Sequence, residues 1–495
     1  MSKREHPLDK SRQIIERIVI EGKLILKTPT HFGNGDTNGT TDMPLLLDET
    51  DSSALLLGTS ITGALRNYVR ERVFGFGREQ ADPEAVTMLF GFVGQEEDEG
   101  EQSCLIVDDA LGGVPKIELR DGVRIDPETR TAKIDEKGKG YKFDLQLLQP
   151  GTAFDLRFEL LVSQDHHPDL IRWLAVALDA LANEKIALGL RKRRGFGRCF
   201  VREWTVTQLD IRKPEALLAW IAEGHPEWTT AAKPQSGANI ANLLGVSIDD
   251  MLDARRLFTM KAKFALKSSL LIRSGFGQDD LGPDMVHLHT TQWDNPKKRV
   301  PVLSGTSLAG VLRGRAMRIV RTLTLATDKN QLPPSITELI NDIFGPDEIA
   351  TDNLNMRASR LITYETKVEG GTSLVQNRIR IDRFTGGAYH SALFSQQPLF
   401  GNDSGSVTVN LTLQSPSEGE VGLLLLLLKD LWTGDLPLGG EASVGRGRLR
   451  GIYAELDWNG QRWKLRQKSA NAPLRIDGDR NVLEACVSKL REVIS

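Results

Sequence analysis

Two glycine-rich loops carry clustered positive charge. Residues 191–198 read RKRRGFGR and hold five basic side chains, and residues 445–448 read GRGR. Glycine lets backbone N–H groups approach a phosphate with no Cβ in the way. Arginine adds charge and a planar set of donors. Arg194, Gly195, Gly197 and Arg198, and Gly445, Arg446, Gly447 and Arg448, are therefore candidates for holding a nucleic-acid backbone. The alternative is a tight turn with solvated arginines, and the matching positions of two such loops favour binding. Neither loop is a dinucleotide fingerprint, which needs a third glycine between strand and helix. Nor is either a P-loop, which needs GKS or GKT.

A second chemistry lies in two acidic loops. Residues 31–48, HFGNGDTNGTTDMPLLLD, contain Asp36, Asp42 and Asp48, and residues 273–285, RSGFGQDDLGPDM, contain Asp279, Asp280 and Asp284. Carboxylates beside a nucleic-acid backbone are electrostatically costly. They call for a metal ion or for work on a ribose hydroxyl. Against that, Asp is common in glycine-rich loops because its side chain bonds nearby backbone. His31 is the one histidine near the first loop and has no counterpart in the second. It is a candidate acid or base, as, with less support, are His287 and His289.

Each acidic loop leads into the same element. It reads LLLGTSITGALRNYVRERVFG at 55–75 and PVLSGTSLAGVLRGRAMRIVR at 301–321. Gly58-Thr59-Ser60 aligns with Gly305-Thr306-Ser307, and Arg66 falls on Arg313. Thr59 or Ser60 can cap a helix whose buried face is Ile61, Ala64, Leu65, Tyr68 and Val69. Ser60, Arg66, Ser307 and Arg313, matched polar positions of this duplicated element, are further candidates for holding a nucleic-acid backbone.

The surrounding landmarks also occur twice. Period-two strands fall at 18–26 and 258–266, LFG at 89–91 matches IFG at 343–345, and SCLIVDD at 103–109 matches SRLITYE at 359–365. Apolar helices at 169–182 and 421–431 precede the glycine loops. An internal repeat of this kind fixes the architecture. The order strand, helix, strands, helix, strand is ferredoxin-like. The expected class is α+β: two tandem ferredoxin-like (RRM-like) domains with insertions, at 12–207 and 255–460. Residues 208–254 read as a linker or insertion, and 461–495 as a C-terminal extension ending in a helix.

Bulk properties narrow the field. A chain of 495 residues is too long for one core. Aromatic content of 6% weighs against a function built on stacking. Cys104, Cys199 and Cys486 have no paired spacing, which suits a reducing cytoplasm and gives no zinc site. The net charge of −3 advertises no global basic field, so any basic groove is local. The charged N-terminus lacks a secretory apolar run, and the six leucines at 423–428 fall far short of a bilayer span. The expected location is cytoplasmic, with no membrane partner.

The first strand, the Gly/Asp loop, G-[ST]-S opening an Arg-bearing helix, LFG and the terminal glycine loop together resemble the RAMP superfamily. More narrowly, they are similar to the backbone subunits of type III CRISPR effector complexes. The resemblance covers both halves, and two fused copies are similar to the fused backbone proteins of subtype III-D systems. It implies partners: a CRISPR guide RNA, a complementary single-stranded target RNA and other effector subunits. It also implies a protruding hairpin, for which 121–142 and 379–397 are candidates. Finally it implies cleavage of the target at spaced positions, dependent on Mg2+ or another divalent cation and on a loop aspartate, by attack of a ribose 2′-hydroxyl on the adjacent phosphate. Asp42, in Asp-Met-Pro, matches the family's Asp-x-Pro, and Asp284 is the looser second-copy match, with Asp36, Asp279 and Asp280 as alternatives. Two other readings stay open: a non-catalytic RNA-binding scaffold, and a guide-RNA-processing endoribonuclease that uses His31.

Overall fold

Ile18, Ile20, Leu24 and Leu26 alternate with polar neighbours and are fully buried, so their stretch forms one long half-buried strand, β1 (Ile14–Leu26). β1 runs antiparallel between β6 (Cys199–Asp210) and β5 (Ala153–Ser163), and β2 (Leu105–Val107) pairs with the far edge of β5. The order β6-β1-β5-β2 is the ferredoxin-like order. Helices α1 (Gly58–Phe74), α2 (Glu84–Phe90) and α3 (Leu170–Ala182) pack together over the sheet's apolar face. The computed structural model describes residues 13–35, 41–77, 81–93, 100–126, 129, 131–134, 142–163, 169–223, 232–274, 282–324, 333–346, 357–469 and 471–494.

The second half repeats the plan. β8 (Leu257–Leu266) lies between β16 (Leu449–Trp458) and β15 (Leu399–Gln414), and β11 (Leu361–Thr363) pairs with β15. Its helices are α6 (Gly305–Leu323), α7 (Pro334–Phe344) and α8 (Glu418–Thr433). The run of six leucines lies in α8, whose Leu423, Leu424, Leu427 and Leu428 are buried. Each half closes its own large core, one built from residues before 250 and the other from residues after 257. The chain is thus an α+β protein of two tandem ferredoxin-like domains.

Each domain also carries a two-stranded arm. In the first it is β3 (Ile117–Val123) with β4 (Lys142–Leu148); in the second, β13 (Gln376–Ile381) with β14 (Ala388–Gln397). Both overlap the segments expected as hairpins. In the second domain β9 (Met285–His287) runs parallel to β14, and β10 (Asn295–Leu303) feeds α6 while pairing with β12 (Thr366–Ser373).

Residues 208–254 have a structural counterpart that the sequence does not reveal. After α4 (Pro214–Glu223), β7 (Gln235–Gly237) pairs with the outer edge of β6, and α5 (Ile240–Leu243) packs on α3. At the C-terminus β17 (Gln461–Arg466) and β18 (Arg475–Asp477) extend the edge of β16, and α9 (Arg480–Ile494) packs on α8. Both segments cover the same edge and the same helix. One does so with a 4-residue helix and the other with a 15-residue helix, too different in length for the repeat to register.

Candidate nucleic-acid interface

A groove of about 590 Å3 runs along α1 in the first domain, between that helix, residues 31–35 and 42–44, and the glycine loop. Leu57 is the N-cap of α1 and no side chain caps the helix; the Gly58 N–H instead donates to Asp109 Oδ1 at 2.6 Å. Thr59 and Ser60, expected as caps, sit inside the first turn and are exposed on the groove wall. The helix starts at Gly58 because only the backbone there fits under Val107 and Asp108: a Cβ would lie 2.3 Å from the Val107 oxygen. The opposite wall carries Lys192, and Asn67 continues the polar stripe one helix turn along from Gly63. Burial, reinforced by Arg313, Arg193 and Arg191, pushes the Arg194 guanidinium down to about 10. That guanidinium faces the second domain and lines no part of the groove, whose own cation is Lys192.

Both aspartates hang from the arm of their own domain by the same contact. Asp42 Oδ2 accepts the Asp144 N–H of β4 at 2.9 Å, and Met43 bridges Leu145 in parallel. Asp284 Oδ2 accepts the Ser395 N–H of β14 at 2.6 Å, and Met285 pairs with Gln396 in parallel. The Ser395 N–H and hydroxyl hold the Asp284 carboxyl below its usual range. Both carboxylates are exposed, and Asp42 lines the groove. His31 lines it too, and its Nδ1 lies 2.8 Å from the Gln146 carbonyl oxygen. A carbonyl only accepts, so Nδ1 holds the proton and Nε2 is the basic nitrogen. Burial lowers the imidazole pKa; the Gln146 carbonyl opposes this and Arg191 adds to it. In the second domain Leu271, fully buried, stands at the position of His31.

The family model of the RAMP superfamily matches residues 23–200 and again 264–450. The chain belongs to the RAMP superfamily. The two matched regions coincide with the two ferredoxin-like domains, so this is a duplicated RAMP protein. A comparison with curated proteins finds no match. Among the described residues no helix is long and apolar enough to cross a membrane.

The arginines that open each RAMP domain's candidate list are engaged with protein. Arg66 Nε donates to Asp82 Oδ2 at 3.1 Å, and Arg313 Nη2 donates to Asn341 Oδ1 at 2.7 Å. Each therefore ties the Gly-Thr-Ser helix to the element that follows it. Arg446 is 3% exposed and bonded to Glu441, Gln376 and Gln396. Arg198 pairs with Glu184, while Arg448 is exposed. Ser307 donates its N–H to the N-cap Ser304 at 3.2 Å. The glycines serve backbone packing: a Cβ on Gly197 would fall 1.8 Å from the Leu188 oxygen and one on Gly447 1.9 Å from the Leu438 oxygen. Gly195 and Gly445 take left-handed φ values of 90° and 86°. Asp36, Asp279 and Asp280 lie outside the described residues. Among the described residues no three of His, Cys, Asp and Glu converge to hold a metal ion.

The junction between the two RAMP domains takes up Arg194, expected to hold a nucleic-acid backbone, and joins it to Glu118, Arg120 and Glu365, which the sequence did not mark. The first domain's glycine loop lies on the second domain's α6 N-terminus. Arg194 Nη2 donates to the Phe344 oxygen at 2.7 Å, and Arg193 donates to the Ser359 oxygen. Arg120, on β3, reaches across to Glu365 at 3.0 Å and is also held by Glu118 at 2.7 Å; all three are buried. Glu118 in turn accepts from Thr290 at 3.0 Å. The alternation Ile117, Glu118, Leu119, Arg120 reads as apolar side in and charged side out, and the structure inverts it: Ile117 and Leu119 are exposed, while Glu118 and Arg120 are buried by the neighbouring domain.

Proposed function

We propose that the chain is an RNA-binding backbone subunit of a type III CRISPR ribonucleoprotein, of the fused III-D kind, and that it cuts target RNA complementary to its guide. Membership of the RAMP superfamily supports the RNA-binding role. In this reading the RNA backbone follows the first-domain groove, with Thr59, Ser60, Asn67 and Lys192 as its contacts. The observation that carries the cleavage is the common mounting of Asp42 and Asp284. Two duplicated domains with different loops keep one exposed carboxylate fixed to the same strand of the arm.

The reaction proposed is transesterification. A ribose 2′-oxygen loses its proton and bonds to the adjacent phosphorus; the bond from phosphorus to the 5′-oxygen breaks, and that oxygen takes a proton. The products are a 2′,3′-cyclic phosphate and a 5′-hydroxyl. Mg2+ keeps several waters and is usually held by one or two carboxylates plus phosphate oxygens. Asp42 and Asp284 fit such a site, and the ion would stabilise charge on the phosphate when bound. His31 Nε2, unprotonated at neutral pH, adds a base in the first-domain groove. It also favours a second reading, a guide-processing endoribonuclease.

The test is cleavage of a labelled complementary RNA by the assembled complex, with and without Mg2+. Wild type is compared with Asp42→Ala, Asp284→Ala and the double variant. Loss of about 100-fold or more in one distinct product per single change is expected, in line with removal of one positioned catalytic group. A double variant that cuts like wild type leaves a scaffold. If His31→Ala abolishes processing of a repeat RNA while target cutting is unchanged, the second reading holds.

A further inference from the structure

The junction inside the chain is a template for what its outer ends can bind. At the junction the second domain receives Arg194 in a cup of carbonyl oxygens organised by one serine. Ser359 Oγ lies 3.0 Å from the Ile343 oxygen and 2.8 Å from the Leu361 oxygen. Arg194 Nη2 bonds the Phe344 oxygen, and the Arg194 backbone lies where a Cβ on Gly305 would fall, 2.2 Å from its oxygen. The first domain has the same cup. Ser103 Oγ lies 2.9 Å from the Leu89 oxygen and 2.7 Å from the Leu105 oxygen, with Phe90 at the position of Phe344 and Gly58 at that of Gly305.

This second cup is open. Thr363 and Glu365 are 0% and 8% exposed under the junction, whereas their counterparts on the other edge are the half-buried Val107 and the exposed Asp109. Asp108 and Asp109 are exposed there, and Ile106 is 43% exposed. Asp109 stands where Glu365 receives Arg120. Asp108 lies 3.5 Å from Arg157 and Asp109 Oδ1 takes the Gly58 N–H, but both carboxylates stay exposed; with the carbonyl oxygens they accept further donors and repel phosphate, so the occupant is a cationic protein loop and not nucleic acid.

A second copy of this chain cannot supply that loop. The face of the second domain equivalent to the docking face of the first has Ala442, Ser443 and Val444 where the first has Lys192, Arg193 and Arg194. Leu374 and Gln376 stand in for Glu118 and Arg120. The guanidinium of the second glycine loop, Arg446, is buried on Glu441, and Arg378 and Arg273 lie against the same carboxylate at 3.1 and 3.8 Å. This end instead exposes Leu374, Val375 and Val444. We propose that the open edge of the first domain, from Ser103 to Asp109 beside the start of α1, docks a lysine- and arginine-bearing loop of a different protein subunit, so that the chain does not extend by stacking on itself.

The test uses the nuclease-treated full-length chain. In sedimentation velocity over two decades of concentration, wild type stays monomeric. The variant A442K, S443R, V444R gives the far end the loop chemistry of the first domain and gains concentration-dependent association; adding Asp108→Lys removes that gain. The changed loop adjoins Glu441, which holds Arg446, so a second measurement keeps wild type intact. A labelled peptide with the sequence of residues 188–198 binds at least tenfold more tightly than one with the sequence of 438–448, and Asp108→Lys weakens it. Wild-type self-association that Asp108→Lys abolishes overturns the proposal. So does equal binding of the two peptides, or binding of neither.

Discussion

At Gly58 the first Gly-Thr-Ser helix begins against its own Asp109, with Thr59 and Ser60 open to solvent. At Gly305 the second begins under the backbone of Arg194, capped by Ser304, which is 3% exposed. The two turns have the same three residues and unlike surroundings, because the glycine loop of one domain fills the entrance of the other. The difference continues inward. Phe196, Leu145, Leu147 and Met43 form an apolar cluster behind the first arm. The matching positions in the second domain hold Arg446 and Gln396, tied to Glu441 and Gln376. With its inner face packed in this apolar way, the first arm sends its arginine, Arg120, outward to the neighbour. The second keeps its arginine at home. Duplication preserved the scaffold and divided the charged work: the first domain binds outward through cations, and the second neutralises its own.

The comparison is most exposed at Arg120. Truncating it leaves Glu118 and Glu365 buried without a counter-charge, a defect worth roughly 3–5 kcal/mol. Gln376, its counterpart, makes a hydrogen bond to Arg446 at 2.8 Å, and its loss costs about 1 kcal/mol. Urea unfolding of Arg120→Ala and Gln376→Ala should therefore give very unequal losses, with the larger one in the transition that separates the domains. Equal losses would mean that the two arms share one structural role and that the division drawn above is false.

A next test lies at His287, which occupies the position of Leu45 in the first domain. It is 1% exposed, and burial, with His289 beside it, pushes its pKa down to about 4. A folded value below the unfolded 6.5 favours the neutral ring, so this contribution is complete above pH 6.5 and is lost as pH falls toward 4. At about 1.4 kcal/mol per unit, the loss is roughly 3 kcal/mol. The second domain should therefore be the acid-sensitive one. His287→Leu, which copies the first domain, should flatten stability against pH over that window. An unchanged slope places the acid sensitivity elsewhere.

Much of the scaffold was legible because the repeat made it so. Period-two strands, two apolar helices and matched LFG landmarks give the order of elements, and a slip of one residue would have exposed Ile18 and Ile20. Asp42 and Asp284 came from the family resemblance, Asp284 as the looser match, and the fold mounts both on the same strand of their arms. The fate of the arginines was not legible. Arg66, Arg194 and Arg313 read as ligands for phosphate, yet their partners are a carboxylate, a side-chain amide and backbone carbonyls brought close only by the fold. A long cation that finds acceptors on a neighbouring element looks the same in sequence as one that waits for RNA. The interdomain junction was hidden by the same logic, since Arg120 and Glu365 lie 245 positions apart.

The smallest expected effect separates the two glycine loops by function. Lys192 lines the first-domain groove, and Ala442 holds its place in the second. Each phosphate contact to single-stranded nucleic acid contributes about 0.7 to the slope of log affinity against log salt. In anisotropy titrations of guide-length RNA on the full chain across a salt series, Lys192→Ala should lower that slope by about 0.7 and weaken binding several-fold at low salt. Ala442→Lys should raise it only if RNA also passes the second loop. A rise as large as the Lys192→Ala loss would show that the second groove differs from the first in its lysine alone. No rise, with a normal loss for Lys192→Ala, would show that Glu441 and the buried Arg446 shut that groove to phosphate. No loss for Lys192→Ala would take the RNA out of the first groove altogether.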